Sequence, residues 1–205
     1  MSQPHLARST TAVLNRATLL LFMSLLAGCA TTPTAPKNPA NLCSVFVENR
    51  DWYVKALRAE RRWGAPVPVQ MAIINQESSF VDDARPPRYR FLGILPLWRT
   101  SSAYGYAQAK DETWSWYKTK TGNDGADRDE FGDAADFIGW YLHQSFVSLG
   151  LSKRDAYSQY LAYHEGHGGF KRKSYVAKPW LQKAAARVAA TAERYRKQLA
   201  ACRLR

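Results

Sequence analysis

The chain has 205 residues, of which 46% are hydrophobic and 13% aromatic, so it can bury a core and is not a disordered polymer. Its net charge of +12 at pH 7 favours an acidic partner, although the same excess of Lys and Arg is compatible with a merely solubilising surface.

The first 28 residues have the pattern of an export signal that ends in a lipid-attachment site. A sparse basic region precedes an apolar run over residues 17–27, which is too short to span a bilayer. Leu26-Ala27-Gly28-Cys29 follows and resembles the lipobox of bacterial lipoproteins, which implies cleavage before Cys29 and acyl chains on its sulfur and amine. An ordinary signal peptide with an incidental cysteine is the alternative.

The position after the cysteine is Ala30 rather than Asp, and the sorting rule for such lipoproteins then implies the outer membrane, facing the periplasm. In that compartment anionic cell wall is the acidic partner that fits best, and we expect no nucleic-acid partner because no nucleic-acid motif is present. Residues 29–42 lack apolar periodicity and predict a flexible tether behind the lipidated Cys29.

Residues 43–205 suit one mainly helical domain with minimal sheet, and we expect a monomer. Any sheet is expected between Glu77 and Gly105 or within residues 119–128. The first predicted helix has an apolar face from Val45 to Trp63 and ends at Gly64, and the second begins at Pro68 and ends at Glu77. A short helix is predicted near residues 111–117, and a longer one over 131–149 with Phe146 facing inward. A Ser152-x-x-Asp155 capping box predicts the start of a further helix, and Pro179 begins the last one.

Two cysteines remain once Cys29 is assigned to lipid. Cys43 lies just before the first helix, and Cys202 falls on the inward stripe of the last helix, whose apolar residues are spaced by threes and fours. An oxidising compartment and an even number of remaining cysteines predict a Cys43–Cys202 disulfide. The alternative is two buried free thiols.

Glu77 ends an apolar helical stretch, with Ser78 beside it. A carboxyl against apolar neighbours has a raised pKa, so it can hold a proton near neutral pH and act as a general acid. Glu-Ser at a helix end is more often a solvated terminus. Two later segments give Glu77 partners: Gly105-Tyr106-Ala107-Gln108 and Ala162-Tyr163-His164-Glu165-Gly166.

In this order, the three segments resemble the signatures of soluble-type lytic transglycosylases, relatives of goose-type lysozyme, which read Glu-Ser-x-Phe, Gly-Leu-Met-Gln and Ala-Tyr-Asn-Ala-Gly. The resemblance covers about residues 66–180 and implies a lysozyme-like fold. It also implies cleavage of the β-1,4 bond between N-acetylmuramic acid and N-acetylglucosamine in peptidoglycan glycan strands. Glu77 would be the single acid and base, and the product would be a 1,6-anhydromuramic end, formed without a cofactor.

The resemblance further implies roles for the residues around Glu77, and for Gln108, Tyr163 and Tyr175 the alternative is a purely structural side chain. Ser78 would bond nearby backbone or help to set the Glu77 carboxyl. Gly105 would permit close approach of backbone, and Tyr106 would form part of a subsite wall. Gln108 would direct its amide towards the sugar, and Tyr163 would place its hydroxyl near Glu77. Tyr175 would line the groove, which completes the implied substrate-binding residues.

Departures from the family pattern leave alternatives open. Tyr106-Ala107 replaces Leu-Met, and His164-Glu165 replaces Asn-Ala and adds charge near the acid. His164 and His167 are three residues apart rather than four and lack a third ligand, so we expect no metal site. A muramidase that uses water at the same site, and a non-catalytic peptidoglycan-binding lipoprotein, remain as alternative functions.

Overall fold

The computed structural model describes residues 35–91 and 95–202, which form one mainly helical domain with a two-stranded sheet. This confirms the predicted fold class. In chain order the elements are α1 (Leu42–Glu48), α2 (Arg50–Trp63), α3 (Val67–Ser78), β1 (Arg88–Phe91), β2 (Leu95–Arg99), α4 (Asp111–Thr121), α5 (Phe131–Leu149), α6 (Ala156–Lys171), a 3₁₀ turn (Ser174–Ala177) and α7 (Pro179–Ala201).

The sequence located most helices correctly, and the sheet lies in the expected region before Gly105. The strands β1 and β2 are antiparallel, with Arg88 paired to Arg99. Helices α2 and α5 end at Gly64 and Gly150, whose left-handed backbone satisfies the last carbonyl groups.

Three details of the helices differ from the prediction. The first predicted helix is two helices, because the backbone leaves the helical region at Asn49. Asp155 rather than Ser152 caps α6, since its side chain accepts from the Ser158 amide. Phe146 is 49% exposed rather than inward, because the last turn of α5 extends beyond the core.

Helix α3 lies at the centre of the domain. It packs mainly against α7, while α2 packs against α5. Its apolar residues are buried on every side, including Met71, Ile73 and Ile74. Trp52 of α2 stacks on Phe131 of α5 with ring centroids 4.2 Å apart. The buried core therefore fixes α3 firmly and sets the position of Glu77 at its C-terminal end.

The start of the described chain packs against the end of α7. The Tyr195 hydroxyl donates to the Pro39 carbonyl, and the Leu42 amide donates to Gln198 Oε1 over 2.8 Å. Residues 39 and 40, which the sequence assigns to the tether, are thus held by α7. A disulfide joins Cys43 to Cys202, with Cα atoms 5.9 Å apart.

The signal peptide over residues 1–28, the lipidated Cys29 and the first part of the tether lie outside the described residues. Within the described part of the chain, no helix has the length and apolar character to cross a bilayer.

Candidate active site

Glu77 lies in the last turn of α3, where the chain turns sharply. Ser79 and Phe80, which follow, both have left-handed backbone, with φ of 53° and 65°. This conformation is uncommon for residues other than glycine. The Phe80 ring is fully buried, 5.9 Å from Trp52, and so anchors the turn from below. The turn ends α3 directly after the acid and places its carboxyl beside a groove.

The groove next to Glu77 has a volume of about 480 Å³. It is open to solvent and is lined by both polar and aromatic side chains. Besides Glu77, its lining includes Ser101, Ala103 and Gln108 from the loop before α4, Glu112 and Thr113 from α4, Phe137 and Tyr141 from α5, and Tyr163, His164 and Glu165 from α6.

The environment of Glu77 favours its protonated form near neutral pH. Burial raises the pKa of this carboxyl to about 7, and the nearby Tyr160 hydroxyl moderates that rise. Tyr160 is itself buried in α6, and burial together with the charge of Glu77 raises the pKa of its hydroxyl.

Tyr163, whose hydroxyl the resemblance places near Glu77, makes its hydrogen bond to another group. Its hydroxyl donates to the Ala107 carbonyl over 2.5 Å, and its ring packs edge to face on Tyr141. The ring still lies near the acid: burial and then the charge of Glu77 raise the pKa of the Tyr163 hydroxyl. Tyr160, one turn earlier on the same face of α6, also lies close enough to Glu77 to lower the pKa of its carboxyl.

Gln108 lines the groove, but its amide nitrogen is already used. Nε2 donates to the carbonyls of Ala84 and Gly105 over 2.8 and 2.9 Å. The backbone of Gln108 is left-handed, with φ of 47°, and these two bonds hold it there. Of the amide that the resemblance directs towards the sugar, the side-chain oxygen, an acceptor, is thus the group that remains available.

Gly105 and Tyr106 serve the fold rather than the groove. A Cβ at Gly105 would lie 2.0 Å from the Arg128 carbonyl oxygen, so the close approach is between two backbone segments and not between backbone and sugar. Tyr106 is fully buried, with its ring 5.5 Å from both Trp52 and Phe131. Its place in a subsite wall is corrected to a place in the core.

Ser78 and Tyr175 also lie elsewhere than in the groove. The Ser78 hydroxyl donates to the Ile74 carbonyl over 3.2 Å, which matches the backbone role among its two predicted roles. Tyr175 stacks on Phe170 at 5.2 Å and lines a separate depression together with Ser148. It is not among the described residues that line the Glu77 groove.

Glu165 is a charged residue in the groove wall whose partners the sequence did not reveal. Its side chain is 4% exposed and accepts from Lys178 Nζ at 2.7 and 3.0 Å, from Ser174 and from His164 Nδ1. Burial by itself raises the pKa of this carboxyl, but the hydrogen bonds from Lys178, Ser174 and His164 outweigh it and hold the pKa at about 2. Glu165 is therefore an ionised, fully engaged carboxylate.

The two histidines of α6 have different partners. Between them the helix is interrupted at Gly166, where φ is 71° and ψ is 160°. His167 Nε2 shares a hydrogen bond with the Ser145 hydroxyl at 3.0 Å, whereas His164 bonds to Glu165. In the described ranges, no group of three or more His, Cys, Asp or Glu side chains is placed to hold a metal ion.

Tyr160 and Tyr141 are site residues that the sequence analysis missed. Tyr160 lies three residues before Tyr163, so helical periodicity could have placed it on the same face. Tyr141 lines the groove from α5, and burial raises its pKa to about 12. No local sequence pattern pointed to Tyr141, because its place depends on how α5 packs against α6.

Comparison with known proteins gives one match. A family model described as Transglycosylase SLT domain matches residues 17–202. No curated protein and no solved structure matches the chain.

Proposed function

Because this chain belongs to the transglycosylase SLT domain family, we propose that it is a peptidoglycan lytic transglycosylase with Glu77 as its single general acid and base. The observation that carries the proposal is the setting of Glu77. Burial raises its pKa to about 7, and its carboxyl borders an open groove of about 480 Å³. Such an acid holds its proton near neutral pH and can donate it to a glycosidic oxygen.

The proposed reaction needs no water. Glu77 gives its proton to the oxygen between C1 of N-acetylmuramic acid and C4 of N-acetylglucosamine, and the C1–O bond breaks. The N-acetyl group stabilises the cation that develops at C1. The Glu77 carboxylate then takes the proton of the C6 hydroxyl, whose oxygen bonds to C1 and gives a 1,6-anhydro ring. This makes the enzyme a carbon–oxygen lyase acting on a polysaccharide, with an internal nucleophile favoured by proximity.

The other carboxylates of the groove support a single-acid mechanism. A two-carboxylate glycosidase needs a second acid that is free to act as nucleophile or base. Glu165 is bonded to Lys178, Ser174 and His164, so its lone pairs are engaged. Glu112 is exposed at the start of α4. Tyr160 lies near Glu77, but the pKa of its hydroxyl is raised, so it supplies no second charge.

The experiment replaces one carboxyl at a time by its amide. We expect Glu77→Gln to abolish release of soluble muropeptides from purified sacculi while sedimentation with sacculi is retained. Glu112→Gln changes a carboxyl of the same groove and is the matched control, expected to keep at least half of the activity. Unchanged digestion by Glu77→Gln would refute the assignment, and loss of activity in Glu112→Gln would favour a two-carboxylate hydrolase.

The mass of the products separates lyase from muramidase. An anhydro end is lighter by one water than a reducing end, so mass spectrometry of the released muropeptides distinguishes the two directly. Reducing ends alone would replace our proposal by a hydrolase at the same site. Digestion that fails in the parent chain under all conditions tested, with binding retained, would favour a non-catalytic peptidoglycan-binding lipoprotein.

We further propose that Cys29 carries the lipid anchor and that the enzyme acts from the outer membrane into the periplasm. The support is the Leu26-Ala27-Gly28-Cys29 pattern with Ala30 after it, together with the net charge of +12, which suits an anionic wall. We expect Cys29→Ala to move the protein from the membrane fraction to the soluble fraction. Retention of this variant in the outer membrane would contradict the anchor.

A further inference from the structure

The groove wall formed by α6 continues into the start of α7 through a buried ionic cluster. Glu165, next to the α6 interruption at Gly166, accepts hydrogen bonds from Ser174 of the 3₁₀ turn and from Lys178 directly before α7. Three consecutive segments are thus fixed to one buried carboxylate. The residues that flank this cluster, His164 and Trp180, are consequently held at defined positions beside the groove.

His164 and Trp180 contact each other at the surface. Their ring centroids are 5.1 Å apart and the rings are inclined by 77°, an edge-to-face arrangement. Whichever ring offers its edge, at least one face of the indole is free of the imidazole. Trp180 is 57% exposed, and His164 lines the same groove as Glu77.

We propose that Trp180 and His164 form a stacking platform that extends the groove and binds a further pyranose ring of the glycan strand. The proposal rests on the proposed function and names a binding element for that same site. An aromatic face carries negative partial charge, which attracts the polarised C–H groups on the face of a pyranose. An exposed indole that continues a saccharide groove supplies such a face.

The ion pair beside the platform is compensated and therefore does not itself select for a stem-peptide carboxylate. Lys178, the cation closest in sequence to Trp180, is paired with Glu165. The remaining acceptor capacity of that carboxylate is used by Ser174 and His164. The pair therefore offers no uncompensated positive charge to an anion, whereas the indole face and the imidazole remain available to an uncharged ring.

The experiment measures binding of N-acetylglucosamine oligomers, which carry no peptide, to the full chain with Glu77→Gln. We expect Trp180→Ala to weaken binding of the hexamer about 5- to 20-fold and to leave the dimer unchanged, because stacking on one base or ring contributes roughly this factor. Trp180→Phe keeps an aromatic face and restores most of the hexamer affinity. Trp116→Phe alters a partly exposed tryptophan that is not among the groove residues and should change neither affinity.

A second readout follows the indole N–H signal of Trp180 by NMR during the same titration. We expect this signal to shift with the hexamer and not with the dimer. Equal affinity of Trp180→Ala and its parent for the hexamer would overturn the proposal. So would a loss confined to peptide-bearing muropeptides, which would assign the platform to the stem peptide. Neither result depends on bond cleavage, so failure here is distinct from failure of the Glu77 assignment.

Discussion

The Tyr163 hydroxyl donates a hydrogen bond to the Ala107 carbonyl oxygen over 2.5 Å, which joins α6 to the loop that carries Gln108. This bond braces the groove between two of its walls. Because it uses the only hydrogen of the hydroxyl, Tyr163 has no donor left for Glu77. The neighbouring Tyr160 instead lowers the pKa of Glu77, so two tyrosines of one helix divide the tasks of bracing the groove and tuning the acid.

The pH dependence of the rate should separate the two tyrosines. We expect activity to fall as the pH rises through about 7, because Glu77 must hold its proton to begin the reaction. Tyr160→Phe removes a hydroxyl that favours the carboxylate, so the pKa of Glu77 should rise, and the pH at which activity falls should rise with it. Initial rates of sacculus digestion between pH 5 and 9 measure the pH at which activity falls.

Tyr163→Phe is the matched control for this shift. It should lower the free energy of unfolding by about 1–2 kcal/mol, because the Ala107 carbonyl loses its hydrogen-bond partner. The pH at which activity falls should stay the same. If the pH at which activity falls changes in Tyr163→Phe and not in Tyr160→Phe, the roles assigned to the two residues would be reversed.

The raised pKa of Glu77 also predicts a pH-dependent stability. The pKa is about 7 in the folded protein against an ordinary 4.5, so the folded state binds more protons between these values. Stability that is fully present below pH 4.5 is therefore lost as the pH rises through 7. We expect Glu77→Gln, which does not titrate, to exceed the parent by about 1–3 kcal/mol at pH 8 and to match it at pH 4.

Urea denaturation at pH 4, 6 and 8 measures this difference, with Glu112→Gln as an exposed control that should show none. A gap between Glu77→Gln and the parent that is the same at all three values would contradict a buried, titrating acid.

Replacement of Gly105 by alanine should destabilise the protein more than the same change at another glycine with left-handed backbone. A Cβ at Gly105 would lie 2.0 Å from the Arg128 carbonyl oxygen, and its φ is 76°. We expect Gly105→Ala to cost at least about 2–3 kcal/mol, from backbone strain and from displacement of that segment. Gly122 has a similar φ of 71° with open space around it, so Gly122→Ala should cost only about 1 kcal/mol. Thermal melting compares them, and equal losses would refute the steric argument.

Removal of the lysine that pairs with Glu165 should destabilise the protein far more than removal of an exposed lysine. Lys178→Met leaves a carboxylate that is 4% exposed without its cation, and we expect a loss of about 2–4 kcal/mol at pH 7. The pKa of Glu165 is lowered to about 2, so its contribution to stability is present above 4.5 and is lost as the pH falls through 2. The deficit of the variant should accordingly shrink on acidification.

Lys183→Met makes the same change at an exposed position of α7 and should shift stability by less than about 0.5 kcal/mol. Urea denaturation at pH 7, 5 and 3 gives the comparison. A Lys178→Met deficit that grows towards pH 3 would show that the ion pair with Glu165 is not its source.

Local patterns in the sequence predicted the helices and the setting of the acid. Gly64 and Gly150 mark helix ends because few other residues adopt left-handed backbone cheaply, and the apolar run before Glu77 predicts burial and a raised pKa. The resemblance correctly drew attention to the segments around Gln108 and Tyr163, both of which border the groove.

The orientation of the side chains could not be predicted in the same way. Tyr106 points into the core and the Gln108 amide turns to backbone because the loop between β2 and α4 closes against Arg128, a contact between distant parts of the chain. Glu165 and Lys178 are in contact only because the packing of α6 and α7 brings them together. Such pairings depend on tertiary distances, which a linear pattern does not contain.

The Cys43–Cys202 disulfide gives the domain a topology with a consequence for its resistance to proteolysis. The bond closes a covalent ring over 159 positions, and every residue of the groove belongs to that ring. A single cut by a protease in any surface loop between the two cysteines opens the ring but releases no fragment. The severed segments stay tethered and can re-form their contacts, so removal of the domain requires a second cut or a reductant.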